Sequence, residues 1–84
     1  MNKRKLLERA LVHPESLRFT EALVLAEAFG FRLSRVRGSH HILSHADVRE
    51  FINLQDVGGM AKPYQVRQLL ELTERYNLSL GGDE

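Results

Sequence analysis

Phe29-Gly30-Phe31-Arg32-Leu33-Ser34-Arg35-Val36-Arg37-Gly38-Ser39-His40-His41-Ile42-Leu43 is the stretch whose pattern decides the fold. Before Gly30 the apolar residues recur at helical spacing, and after it they alternate with polar ones, so a helix stops and a strand begins there. Phe31, Leu33 and Val36 interleave with Arg32, Ser34, Arg35 and Arg37, and the break in alternation near Arg35 predicts a register fault. Gly38-Ser39 supplies a turn. His40 to His45 reads as a second strand, given its apolar weight by Ile42 and Leu43. Ala46-Asp47 turns the chain again, and Phe51 to Leu54 predicts a third strand with Ile52 and Leu54 on one face and Phe51 and Asn53 on the other.

Helices flank this meander. Lys3 to Val12 sets Leu6, Leu7, Ala10 and Leu11 at helical spacing among Lys5, Glu8 and Arg9, and Pro14 ends the helix, with His13 in the exit turn and Pro14-Glu15-Ser16 as a loop. A second helix is expected to start at an N-cap Thr20 with Glu21 in its first turn and a Phe19–Val24 staple. Its buried stripe is Ala22, Leu25, Ala26 and Phe29, and Gly30 stops it. Gln55 to Lys62, with Gly58-Gly59, reads as a loop. Pro63 opens the last helix, with Val66, Leu69, Leu70 and Thr73 as its stripe, Leu72 and Tyr76 at the margin and Asn77 as its stop. The expected fold class is α+β in the order α-α-β-β-β-α, a three-stranded antiparallel sheet with helices on one face and the other face open or partner-facing.

Composition bounds the function. At 84 residues, 43% hydrophobic and 27% charged, the chain has the size and balance of one globular domain, expected over 1–84. The absence of cysteine removes disulfides, thiolate zinc sites and cysteine nucleophiles. No apolar run approaches the roughly 18 residues of a membrane span, so the expectation is a cytoplasmic protein with no membrane partner. Net charge is +1, but segment 32–49 holds Arg32, Arg35, Arg37 and Arg49 against Asp47 alone, while 63–84 sets Arg67 and Arg75 against Glu71, Glu74, Asp83 and Glu84. The middle of the chain is the anion-facing candidate.

Two places could carry chemistry. At the first, a basic strand end turns through glycine into paired histidines. Imidazole both accepts and donates a proton near neutral pH, as RNA cleavage by an internal 2′-hydroxyl requires, and Arg35 and Arg37 could hold the phosphate. Adjacent strand residues point to opposite faces, so one histidine packs inward, and strand parity does not choose between His40 and His41. A zinc site from His40, His41 and His45 is disfavoured, because His41 and His45 lie about 13 Å apart along an extended strand. No metal or cofactor is expected. The second place is Gly58-Gly59-Met60-Ala61-Lys62-Pro63-Tyr64, a glycine loop entering a helix, where Lys62 and free first-turn amides suit a phosphate, Arg67 follows one turn on, and Tyr64 could stack on a base.

The 29–42 stretch, together with Lys62-Pro63 ahead of Val66-Arg67-Gln68-Leu69-Leu70, resembles the HicA-type mRNA interferase toxins of type II toxin–antitoxin pairs over about residues 20–77. The resemblance implies a fold similar to a double-stranded-RNA-binding domain, ribosome-independent mRNA cleavage, and inhibition by a HicB-type antitoxin. It also implies that the catalytic histidine is His40, after the motif residues Gly38 and Ser39. Against that pattern, residues 1–15 are an N-terminal extension to a core at 16–77, with a frayed tail at 78–84. Leu54-Gln55-Asp56-Val57 stands where many relatives carry Val-Pro-x-His. The second proton donor would then fall to His41 or His45, or to Lys62. The competing readings are a non-catalytic RNA-binding module and a protein-interaction domain of the same fold.

Overall fold

Asn2 starts the first helix, α1 (Lys3–Val12), by accepting the Lys5 N–H on its side-chain oxygen at 3.0 Å. Leu6 and Ala10 of this helix are buried in the core, and its Arg9 pairs with Glu21 of the next helix, so the N-terminal extension is packed as part of the domain. Pro14–Ser16 is a single 3-10 turn rather than an open loop, because the Ser16 N–H and hydroxyl both donate to His13 O. The computed structural model describes residues 1–81.

Helix α2 (Phe19–Ala28) begins two residues before the expected start: Arg18 is the N-cap, not Thr20. The Glu21 carboxylate reaches back to the Arg18 N–H at 2.9 Å, supplying the cap that Arg18 itself lacks. Phe19 is therefore the first helical residue, and the staple positions move from Phe19 and Val24 to Leu17 and Ala22, both fully buried. At the other end Gly30 (φ +98°) closes the helix, with its N–H on Glu27 O and the Phe31 N–H on Ala26 O.

The sheet has four antiparallel strands in the order β1 (Arg32–Arg37), β2 (His40–His45), β3 (Val48–Val57) and β4 (Met60–Ala61). Two expectations change here. The third strand extends well beyond 51–54 at both ends, and the expected loop at 55–62 contains the fourth strand. Gly58 and Gly59 both take positive φ (59° and 88°), the conformation of a two-residue hairpin turn whose twist matches the flanking strands. The Asp56 carboxylate caps this turn by accepting the Gly59 N–H at 2.8 Å. Strand β4 then meets the entry to α2, where the Ala61 N–H donates to Leu17 O and the Phe19 N–H to Gly59 O.

Helix α3 (Pro63–Arg75) has Pro63 at its first position and ends where Asn77 takes φ +55°. The Leu78 N–H returns to Thr73 O at 2.8 Å and the Asn77 N–H to Glu74 O at 3.1 Å. Its buried residues are Gln65, Val66, Leu69, Leu72 and Thr73, so Leu72 sits in the core and Leu70 at the margin, the reverse of the expectation. Residues 78–81 are not frayed: Leu78 and Leu80 pack on the core, and the Gly81 N–H donates to Ala28 O. The rest of the expected frayed end, 82–84, lies outside the described residues.

The three helices cover one face of the sheet. Leu43, Ile52 and Leu54 from the strands meet Leu17, Leu25, Val66 and Leu69, all fully buried. Truncating Ile52 or Leu54 to Ala removes about 2–5 kcal/mol of packing, a large share of the ~5–15 kcal/mol that holds a small domain together. This α+β architecture leaves the opposite face of the sheet uncovered.

Candidate nucleic-acid interface

The fault near Arg35 is real and decides the composition of the uncovered face. Leu33 lies opposite the fully buried Leu43, and Val36 opposite His41, while Arg32 lies opposite Ser44, Arg35 opposite Ile42 and Arg37 opposite His40. Ser34 is the extra residue. Unbroken alternation through Ser34 would send Arg35 and Arg37 toward the helices; with Ser34 left out of the pairing, Arg32, Arg35 and Arg37 share the outer face. Leu33 and Val36 keep the inner parity yet are about half exposed (47% and 51%), since β1 is the sheet's edge.

Strand β3 completes the face. His40 pairs with Gln55 and Ile42 with Asn53, so Asn53 is the diagonal neighbour of His40. The His40 Nδ1 lies 3.1 Å from the Asn53 amide nitrogen and 3.3 Å from its oxygen. The contact admits two arrangements: with the amide nitrogen toward the ring Nδ1 accepts and Nε2 carries the proton, and with the oxygen toward the ring Nδ1–H donates and Nε2 keeps its lone pair, the tautomer of a general base. Sequence reasoning put Asn53 on this face but did not connect it to His40. Counting back from the 45–46–47–48 turn pairs residues 40 and 53 directly, and two extra β3 residues opposite Ser44 turn that pairing into the diagonal contact.

The turn that presents His40 is fixed from both sides. Gly38 takes φ +60°, a left-handed value that favours glycine, and Ser39 O accepts the Asp56 N–H at 3.1 Å. His41 has the opposite parity: its ring lies 4.6 Å from that of Phe19, with Nδ1 3.3 Å from Ser39 O. His45 is also on the helix side, edge-on to Phe31 at 5.2 Å, and its Nδ1 accepts the Asp47 N–H at 3.0 Å. Neither shares a face with His40. Val57, where the resemblance sets a second histidine in relatives, shares the parity of Asn53 and Gln55 but has no group that can move a proton.

Lys62 caps α3 with its ammonium 5.9 Å from the Tyr64 ring, and Arg67 is exposed on the same helix. The helix entry is joined to the His40 site through a buried amide. Gln65, 1% exposed, accepts the Gln55 N–H at 2.8 Å and donates to the Tyr64 hydroxyl at 3.3 Å, and Gln55 is the strand partner of His40.

Charge on the two faces is segregated. The outer parity of β1 to β3 carries Arg32, Arg35, Arg37 and Arg49 and no carboxylate, and among the described residues no ion pair engages these arginines. Glu50, of inner parity, accepts from the Tyr76 hydroxyl at 2.7 Å and from Arg75 at 2.8 Å. The Tyr76 hydrogen bond first, with Arg75 adding to it, holds the Glu50 carboxyl below the usual carboxylate range. Among the described residues no three His, Asp or Glu side chains gather to hold a metal ion, and no helix is long and apolar enough to cross a membrane. A cavity of about 400 Å³ opens among Leu7, Leu11, Phe29, Leu70 and Leu78 on the helix side, away from every candidate residue.

No curated protein and no solved structure matches the chain. A family model described as the HicA toxin of bacterial toxin–antitoxin systems matches residues 19–74, and α1 lies outside the match. Because the matched span takes in α2, the whole sheet with the His40 hairpin and nearly all of α3, the chain belongs to the HicA toxin family of bacterial toxin–antitoxin systems.

Proposed function

We propose that this toxin is a ribosome-independent mRNA endonuclease that works in the cytoplasm and is held in check by a HicB-type antitoxin. The observation that carries the reading is the His40 constellation: an exposed imidazole oriented by Asn53, with Arg37 directly across the strand and Arg35 beside it. His40 Nε2 takes the proton of a 2′-hydroxyl as that oxygen attacks the adjacent phosphorus. The P–O5′ bond breaks, the imidazolium returns the proton to the leaving 5′-oxygen, and the products are a 2′,3′-cyclic phosphate and a 5′-hydroxyl. Arg35 and Arg37 stabilise the charge that builds on the phosphorane oxygens, with Lys62 and Arg67 as further phosphate ligands. Gly38 and Ser39 hold the turn. His41 and His45, facing the helices, have structural roles, so one imidazole serves as base and then acid.

The test is incubation of the purified chain with a defined mRNA in the presence of EDTA. Expected are 5′ fragments ending in a cyclic phosphate or its 3′-phosphate hydrolysis product. Intact RNA from folded protein would transfer the weight to the non-catalytic RNA-binding reading. In cells, overproduction of the chain should deplete mRNA and arrest growth, with rescue by its antitoxin.

A further inference from the structure

We infer that the open sheet face is a stacking platform for single-stranded RNA, on which Phe51 receives an unpaired base on the same face as the phosphate held at His40. This rests on the nuclease reading and extends it by naming the form of the substrate and the residue that grips a base.

The chain has four phenylalanines, and Phe19, Phe29 and Phe31 are buried in the core. Phe51 is 62% exposed in β3, on a stretch bordered by β2 on one side and left unbordered on the other, since β4 reaches only Asp56 and Val57. An isolated exposed apolar residue needs no explanation. What distinguishes Phe51 is its company on the outer parity. Arg49 precedes it by two residues and Asn53, the residue that orients His40, follows it by two, about 7 Å along an extended strand. Arg32, Arg35 and Arg37 line the same face, with no carboxylate among them.

An aromatic surface beside unpaired cations is the combination that binds single strands: arginines track the phosphates while a ring takes a base face regardless of its identity. A duplex keeps its base faces stacked inside and offers none to a ring on a sheet. A protein partner fits less well, since the fully buried centre of a protein interface is apolar and depleted of charge, whereas this face has four arginines around Phe51, Ile42 and Val57.

The experiment uses the full chain carrying His40→Ala, so that RNA is not consumed, and a short labelled oligoribonucleotide with 2-aminopurine at one position, single-stranded or as a perfect duplex. Adding Phe51→Ala should weaken single-strand binding about 5- to 150-fold without changing its salt slope, because every phosphate keeps its cation. Phe51→Trp should retain affinity and quench the 2-aminopurine; duplex binding should be weaker and indifferent to residue 51. Equal affinity of the Phe51→Ala and parent chains, or a duplex bound as tightly as the single strand, overturns the inference. So does a Phe51→Ala chain that keeps RNA affinity and loses only its antitoxin, which would assign the face to a protein. Cleavage of the same oligonucleotide by the chain with His40 intact is scored separately. Phe51-dependent binding without cleavage sinks the nuclease reading alone, and cleavage with Phe51-independent binding sinks the stacking platform alone.

Discussion

Asn53 stands diagonally across the β2–β3 ladder from His40 and holds its Nδ1 at 3.1–3.3 Å, which leaves Nε2 as the nitrogen presented to a substrate. Removing the amide with Asn53→Ala frees the ring to rotate, and a misplaced base of this kind costs up to about 10²-fold in rate. Asn53→Asp keeps the hydrogen bond but adds a carboxylate that favours imidazolium, so the acidic limb of the pH–rate profile should move to higher pH. Single-turnover cleavage across a pH series checks both. Profiles that superimpose on that of the unaltered chain would show that Asn53 does not act through His40.

His40→Ala should lower cleavage by about 10²–10⁴-fold with little effect on RNA affinity, because it removes proton transfer and leaves the arginines in place. His41→Ala and His45→Ala should instead lower stability, since the Phe19 and Phe31 rings would each be left without the imidazole that packs on them, and the rate of the folded fraction should stay near normal. Cleavage rates set beside urea midpoints separate the two effects. A His40→Ala protein that folds and cleaves normally would remove the proposed chemistry.

Elements with a periodic signal are legible in the sequence, and those built from distant neighbours are not. The switch from helix to strand at Gly30 and the fault near Arg35 are local features of side-chain order, and both appear in the structure. β4 has two residues, too few for an alternation, and exists because the Gly58-Gly59 turn folds Met60 and Ala61 back on β3. The true start of α2 is hidden because its cap comes from Glu21 reaching backward, while Arg18 has no side chain of the usual capping kind. For the site, parity alone leaves His40 and His41 equivalent. Packing separates them, by the Phe19 ring against His41 and the Asn53 amide against His40.

Arg35→Gln and Arg37→Gln should each weaken RNA binding and reduce the slope of log K against log salt by up to about 0.7 for each single-strand phosphate left without its cation. Lys62→Gln belongs to the same series. Titrations of the uncleaving chain at several salt concentrations give the slopes directly. Unchanged slopes in all three variants would make these charges a solvated surface.

Glu50 binds both Tyr76 and Arg75, and its carboxyl is held below the ordinary range chiefly by the tyrosine hydroxyl. A carboxyl whose folded value is depressed contributes stability above its unfolded value, about 4.3, and loses that contribution as pH falls through the folded one. Tyr76→Phe should therefore be less stable than the parent at neutral pH, with the gap narrowing in acid. Urea unfolding at the two pH values tests it; a gap that stays constant would mean that the tyrosine contributes packing only.

Gly30 sits at φ +98° with its α-carbon over the His45 ring, so a Cβ there would lie 2.8 Å from His45 Nε2. Gly30→Ala carries two separable costs: a left-handed backbone that an L side chain resists by about 1–2 kcal/mol, and a collision that must push His45 off Phe31. The double variant Gly30→Ala/His45→Ala keeps the first cost and relieves the second. Its loss of stability should be smaller than the sum of the two single losses, the non-additivity expected of residues that touch. Strictly additive values in a urea double-mutant cycle would mean that the His45 ring yields freely, and that Gly30 is required for its backbone angle alone.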